Sequence, residues 1–336
     1  MRRKNLKIPL NYKKNLAEIK NVLKDPRNKT FFITGHTKPD GDAIGSMLAL
    51  YSLLKRLGKN AFIYSYDTIP SFLKFLTYSN KINIVKKIEK KFDVAVYFEC
   101  ADISRFGISM NINEQTKKTI NIDHHILKTN WADINWFDHY SSSVSELVYF
   151  IFRYLKVPLT KIEAECLYVG IVTDTRNFTQ ANTNSRSHMI AAELLECGVD
   201  SATVEKYIYG TKSLNALKLT GIALDNMKTE ESGRIAYTTI TLDDYKKTNS
   251  TVEDTEGIIN YVGMLPDIKV WMIFRELNEK NFIKVGFRSI KEIDVNKISN
   301  KFGGGGHRNA SGCTVKGNIN EAIKIILKEV KKAISK

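Results

Sequence analysis

Over residues 1–198 short apolar runs alternate with stretches of helical periodicity, and that alternation leaves few folds open. Residues 31–34, 61–66, 93–99 and 119–123 read as strands, while residues 43–57, 144–155, 162–173 and 185–197 carry helical spacing. The first of these helices stops at Gly58, a residue suited to a helix C-terminus. Strands that alternate with helices predict an α/β domain: a mostly parallel sheet with helices on both faces. The pattern changes after residue 198. Residues 204–227 look helical, with breaks near Gly210 and Gly221, and the segment 199–230 is expected to act as a helical linker. Strands at 234–242, 268–276 and 282–288 follow, with helical runs at 253–264 and 319–334. Residues 231–336 are therefore expected to form a smaller α+β domain.

The chain has 336 residues, enough to bury a large core and to favour two domains over one. Its apolar runs fall far short of the roughly 18 residues that cross a bilayer. The basic N-terminus lacks the apolar core of a signal peptide, so a cytoplasmic protein without membrane contact is expected. Cys100, Cys166, Cys197 and Cys313 form no C-x-x-C pair, which argues against structural zinc and a disulfide framework. The formal charge of +15 suits an anionic partner, although a merely Lys-rich composition gives the same number.

The informative residues stand where the strands end. His36, Asp40 and Asp42 follow the first strand, Glu99 ends the third, and Asp123, His124 and His125 close the fourth. Asp174 ends a helical segment. Ligands in parallel α/β folds gather beyond the carboxyl ends of strands. Asp40 and Asp42 flank Gly41, so their carboxylates can diverge towards different ions; taken alone, Asp42 reads equally well as a helix N-cap. Adjacent His124 and His125 cannot point the same way on an extended chain, so one can hold a metal while the other faces a substrate. Oxygen and imidazole donors without thiolate favour hard divalent ions. In the second domain Gly303, Gly304, Gly305 and Gly306 precede His307, and Arg288 precedes Ser289. Glycines free backbone amides for an anion, and Arg suits phosphate; a flexible linker and an exposed strand charge are the plain alternatives.

The segments HTKPDGDAIGS, FECAD, NIDHH and GIVTDT, followed by GGGGH, resemble the DHH phosphoesterase superfamily along nearly the whole chain. The similarity is to its NrnA-type nanoRNase branch, which carries a DHH-associated C-terminal domain. The resemblance implies two Mn(II) ions, with Mg(II) or Co(II) as substitutes. His36 and Asp40 would hold one ion, and Asp42, His124 and Asp174 the other, with Glu99 as the bridge. His125 would face the scissile phosphate and Asp123 would support the histidine pair. Arg105, Arg288, Ser289, the four glycines and His307 would bind the substrate, and the resemblance implies an active site in the cleft between the two domains. That substrate would be short RNA, a linear dinucleotide such as pApA, or the 3′-phosphate of pAp. A homodimer is in keeping with the family.

The chain departs from the family pattern in three places. Glu99 stands where Asp is usual, with Asp102 as fallback; Arg176 stands where Gly is frequent; Gly286 stands where Ser is usual. Competing functions are opening of the cyclic dinucleotide c-di-AMP, or a degenerate nucleotide sensor without catalysis. A manganese pyrophosphatase would lack the glycine run, and a RecJ-type exonuclease would be longer.

Overall fold

The computed structural model describes residues 6–125, 129–277 and 281–335, with the backbone alone at His307. It divides into a first unit that runs to Thr211 and a second that starts at Lys212.

The first unit opens with α1 (Lys13–Lys24), whose Leu16, Ile19 and Leu23 are buried at helical spacing. Then come β1 (Thr30–Gly35), α2 (Gly41–Arg56), β2 (Asn60–Ser65), β3 (Ile82–Ile84), β4 (Phe92–Phe98), α3 (Ile112–Gln115), β5 (Thr116–Asp123) and β6 (Ile134–Phe137). Four helices complete it: α4 (Val144–Leu155), α5 (Lys161–Asp174), α6 (Ser185–Glu196) and α7 (Ser201–Ile208). The strands form one sheet in the order β3-β2-β1-β4-β5-β6, and every pairing is parallel.

Strand alternation splits the apolar side chains between two faces. Phe31, Ile33, Val94, Val96 and Phe98 join the core built with α1, α2, α4, α5 and α6. Phe32, Ala95 and Tyr97 face the opposite way, onto Phe106, Ile108 and Ile112 of α3. Nearly every residue of α2 is buried, as befits a helix that is apolar all round. Two glycines permit this. A Cβ on Gly45 would strike the Cys166 carbonyl, and one on Gly170 would strike the Ser145 hydroxyl and come within 2.8 Å of Asp42 Oδ1. The close contact of α2 with α5 therefore requires glycine on both sides.

The second unit contains α8 (Leu214–Asp225), β7 (Lys228–Glu230), β8 (Ile235–Ile240), α9 (Leu242–Thr248), α10 (Ile258–Val262), β9 (Val270–Glu276), β10 (Phe282–Ser289), α11 (Val295–Asn300), β11 (Gly305–His307), β12 (Ala310–Lys316) and α12 (Ile319–Ile334). Its mixed sheet runs β11-β12-β10-β9-β8-β7; only β8 and β9 pair in parallel. On one face Val270, Met272 and Phe274 pack with α11 and with Ala322, Ile326, Val330 and Ile334 of α12. On the other, Ile273 packs with Leu219 and Ala223 of α8. The architecture is the expected one: a parallel-sheet α/β unit and a smaller α+β unit.

Local details differ from the sequence reading. Gly221 lies inside α8 and does not break it, since a glycine within a helix costs only about 1 kcal/mol relative to alanine. The strand expected at 234–242 stops at Ile240, where Thr241 and Asp244 form a capping box that starts α9. The helical run expected at 253–264 is a 3₁₀ turn and α10, separated by Gly257 at φ +87°. Among the described residues no helix is long and apolar enough to cross a membrane.

Candidate metal centre

In the register of the sheet Gly35 lies beside Phe98, and Phe98 beside Ile122. The residues that follow therefore leave the same edge side by side: His36 from β1, Glu99 from β4, and His124 and His125 just beyond β5. The strand order also turns here, since β1 lies between β2 and β4, and ligands favour such switch points in open α/β sheets. Glu99 sits at φ +56°, a left-handed conformation that costs a residue with a side chain roughly 1–2 kcal/mol. Its amide still donates to the Ile122 carbonyl at 3.0 Å, so the chain turns sharply directly after the last sheet contact.

The buried Glu99 carboxylate stands between two imidazoles. Its Oε2 is 3.3 Å from His36 Nε2 and its Oε1 is 3.3 Å from His124 Nε2. Asp40 Oδ2 lies 3.9 Å from His36 Nε2, and Asp174 Oδ2 lies 3.7 Å from His124 Nε2. Each ring is held by its other nitrogen: His36 Nδ1 is 2.7 Å from the Thr37 carbonyl and His124 Nδ1 is 3.2 Å from the Ser141 carbonyl. A carbonyl only accepts, so Nδ1 carries the proton in both rings. In the neutral imidazole that leaves the Nε2 lone pair facing carboxylate oxygens, an arrangement that a cation between them resolves.

Asp42 is fully buried in the first turn of α2. Its Oδ2 accepts from the Val144 amide at 2.5 Å and its Oδ1 from the Ser145 amide at 2.8 Å, both at the N-terminus of α4. The alternative reading of Asp42 as an N-cap gives way to Asp40. Asp40 Oδ1 accepts from the amides of Asp42 and Ala43 at 3.1 and 3.0 Å, while its Oδ2 faces His36.

The cluster carries an excess of negative charge, and its groups shift accordingly. Burial opposes charge on His36, but the Glu99 carboxylate outweighs it and pushes the imidazole up to about 9. Burial likewise opposes charge on His124, and Glu99 and Asp174 raise it well above the ordinary value. Burial, then the charges of Glu99 and Asp174, pushes Asp42 far up. Burial raises Asp174 to about 7 against the opposing pull of His124.

The donor set fits divalent ions. Three groups bring their ligand atoms within 4.8 Å of one another: His36, Asp40 and Glu99; Glu99, His124 and His125; and Asp42, His124 and Asp174. Glu99 and His124 each belong to two groups. Glu99 Oε2 and His124 Nε2 are buried polar atoms without a hydrogen-bond partner, as expected of atoms shaped to hold a cation. Hard oxygen and imidazole donors without sulfur complete the match.

Asp123 is buried and its Oδ1 accepts from both the backbone amide and ring Nδ1 of His125 at 2.8 Å. It thus orients His125 alone; His124 is held by Ser141. Asp102 is exposed and caps the 3₁₀ turn of residues 103–106 by accepting from the Ser104 amide at 2.8 Å. Arg105 lies on that turn, and its carbonyl accepts from the Thr37 amide at 2.6 Å, which docks the turn against the His36 loop.

In the second unit the glycine run has structural duties. Gly303, at φ +69°, and Gly304 donate their amides to the carbonyls of Asn300 and Ser299, a Schellman closure of α11. A Cβ on Gly304 would strike the Gly312 carbonyl, and one on Gly306 would lie 2.7 Å from Ser311 Cα, so these two positions can lie against β12 only as glycine. Two of the amides expected to cradle an anion are thus engaged in the fold. Ser289 is buried; its hydroxyl donates to the Ile293 carbonyl at 2.6 Å and accepts from Asn309 at 2.9 Å. Arg288 is half-buried and donates to the Phe287 carbonyl at 2.9 Å. The side chain of His307 lies outside the described residues.

Sequence reasoning did not find the supports contributed by residues 138–146 and 182–186. A signal was present: Ser143 followed by Glu146 before an apolar run is a helix-start pattern, and Ser143 indeed accepts from the Glu146 amide.

Arg176, Asn177 and Phe178 follow the C-cap Thr175 of α5, and all three are left-handed, at φ 46°, 55° and 63°. A left-handed side-chain-bearing residue costs roughly 1–2 kcal/mol, and glycine's extra backbone freedom returns roughly 0.5–1 of it. Arg176→Gly is therefore expected to raise the unfolding free energy by up to about 1 kcal/mol, read as a higher urea midpoint at unchanged slope. An unchanged or lower midpoint would show that the arginine side chain repays the strain.

A parallel sheet ending in His, Asp and Glu donors, joined to a mixed-sheet unit, defines an α/β protein with a candidate metal centre. Residues 30–171 match the DHH family, N-terminal domain, and residues 232–336 match the DHHA1 domain. The chain is similar to proteins named bifunctional oligoribonuclease and PAP phosphatase NrnA. That of Thermus thermophilus is 30% identical over 96% of this chain and 94% of its own length. That of Bacillus subtilis is 29% identical over 85% of this chain and 89% of its own length. An exopolyphosphatase-related protein from Bacteroides fragilis has a solved structure that superposes with a TM-score of 0.88 at 28% identity, covering 95% of this chain and 96% of that one. The chain belongs to the DHH family, in its NrnA branch, and is a hydrolase of phosphoester bonds.

Proposed function

We propose that this protein is a Mn(II)-dependent phosphodiesterase of very short oligonucleotides and linear dinucleotides, which also removes the 3′-phosphate of pAp. The observation that carries the reading is the Glu99 carboxylate set between His36 and His124, with further carboxylates beyond each ring. His36 and Asp40 hold one ion; Asp42, His124 and Asp174 hold the second; Glu99 is shared. Bound in such a pair, divalent ions activate a water and stabilise the leaving oxygen of a phosphoester. His125, fixed through Nδ1 by Asp123, presents its other nitrogen to the phosphate and can move a proton there. The positive net charge favours the approach of an anionic substrate. Arg288 serves in this reading as a substrate-binding residue, its guanidinium suited to a phosphate.

The test is a side-by-side assay of pApA, a pentanucleotide RNA, a long single strand, pAp and c-di-AMP, with Mn(II) and with chelator. Mononucleotide release is expected from the shortest substrates and none is expected after chelation. Equal rates on the longest and shortest substrates would favour a processive exonuclease instead. Arg288→Ala is expected to raise KM for the dinucleotide roughly ten- to a hundredfold, the loss of one charge-assisted phosphate contact, with metal affinity unchanged. An unaltered KM would remove Arg288 from the substrate site.

A further inference from the structure

Asp174 is held by a side chain that no ligand motif includes. Eight positions beyond it, Asn182 returns its amide to the end of α5. Asn182 Nδ2 lies 2.9 Å from Asp174 Oδ2, 3.2 Å from the Asp174 carbonyl and 2.9 Å from the Ser142 carbonyl. Three acceptors thus converge on one NH₂ group with two hydrogens. The orientation of the amide is fixed, because reversing it would set its oxygen against three other oxygens. The oxygen that Asn182 engages is also the Asp174 oxygen that faces His124 Nε2 at 3.7 Å.

The choice of a neutral donor matters. A Lys or Arg in this place would neutralise the carboxylate and compete with a bound cation. An amide fixes the rotamer and leaves the full negative charge for the metal. Ser142, the other acceptor, lies between Ser141, whose carbonyl holds His124, and the Val144 and Ser145 amides that hold Asp42. Asn182 therefore ties Asp174 to the one short loop that supports both of its partner ligands.

We propose that Asn182 is a positioning residue for the second ion, the one held by Asp42, His124 and Asp174. It sets that ion's affinity by locking Asp174 to the loop of residues 141–145. The proposal rests on the two-ion reading given above.

The experiment uses the full chain and follows free Mn(II) by electron paramagnetic resonance during titration, beside the thermal midpoint of the metal-free protein. In Asn182→Ala one of two binding events is expected to weaken roughly 10- to 100-fold, the usual effect of removing an outer partner of a metal ligand. The other event and the metal-free midpoint are expected to stay as in the wild type. With a dinucleotide substrate, kcat is expected to fall at subsaturating Mn(II) while KM is unchanged. Asn182→Gln keeps the amide but displaces it by a methylene, and is expected to weaken the same single event. Both events unchanged in both variants overturns the proposal. So does equal weakening of both events with a lowered midpoint, the mark of a merely structural residue. A wild-type protein that lacks two binding events overturns the two-ion reading itself, and this proposal with it.

Discussion

Glu99→Ala is expected to lower dinucleotide hydrolysis by roughly a thousandfold or more while the protein stays folded. The reason is its place in the cluster. Asp40 and Asp174 each face one imidazole, but Glu99 faces both, at 3.3 Å on either side. On the two-ion reading, removing it would take a ligand from each ion at once. Losing about 4 kcal/mol of transition-state stabilisation, within the several that metal ions supply, is a factor of about a thousand. It also leaves His36 and His124 facing an emptied, buried space. Glu99→Asp tests the same point with the charge kept. Aspartate retracts the carboxylate by one bond of about 1.5 Å, yet it tolerates the left-handed backbone better than glutamate does. Activity between wild type and the alanine variant is expected, with weaker Mn(II) binding. Mn(II) affinity and kcat measured on both variants check the argument. An alanine variant that retains most of its activity would mean that Asp102 or another group bridges the ions.

The members of the candidate site were legible because polar residues at the ends of apolar elements have few other uses: His36, Glu99 and His124 stand at strand ends and Asp174 at a helix end. What the sequence does not contain is the register that places Gly35, Phe98 and Ile122 in one row, and hence the three following segments on one edge. Nor does it show which of two neighbouring aspartates caps α2. Asp40 and Asp42 both suit the task, and the difference came from α4, whose amides take up Asp42 from more than a hundred positions away. The glycine run was legible as a place of special backbone, but its purpose was not. The Schellman closure of α11 and the pressed contact of β11 on β12 depend on neighbours that periodicity cannot locate. Helices with a clean stripe, such as α12 with Ala322, Ile326, Val330 and Ile334, could be read from spacing alone. Half-buried polar supports were the least visible, since Asn182 and Arg186 meet partners 40 positions earlier in the chain and carry no local signal.

Arg186 carries the second large expectation, this time on stability. Its guanidinium donates through Nε to Glu146 Oε1, and through Nη2 to Asp138 Oδ2 at 3.2 Å. Glu146 is fully buried and Asp138 nearly so. Tyr12 donates its hydroxyl to the same Asp138 oxygen, and burial followed by that hydrogen bond pushes its phenol up, which keeps it a donor. The guanidinium also lies 5.5 Å from the Tyr12 ring centroid and 5.9 Å from that of Phe150. One cation thus serves two buried carboxylates and two aromatic rings. Arg186→Met leaves both carboxylates without a counter-charge, and stranding buried charge in this way costs about 3–5 kcal/mol. At roughly 2–4 °C per kcal/mol for a domain of this size, the thermal midpoint of the first unit is expected to drop by about 6–20 °C. Adding Glu146→Gln to Arg186→Met is expected to recover part of the loss, because one of the stranded charges is gone. The effect reaches the metal centre as well. Glu146 Oε2 accepts from the Ser142 amide at 3.1 Å and hydroxyl at 2.8 Å, and so fixes the loop whose backbone holds His124 and Asp42. Below its melting range the variant should therefore bind Mn(II) more weakly than the wild type. Urea unfolding and Mn(II) titration on the two variants decide the matter. A denaturation midpoint for Arg186→Met equal to that of the wild type would show that the two carboxylates find other partners, and that the ion pair is not what holds the loop.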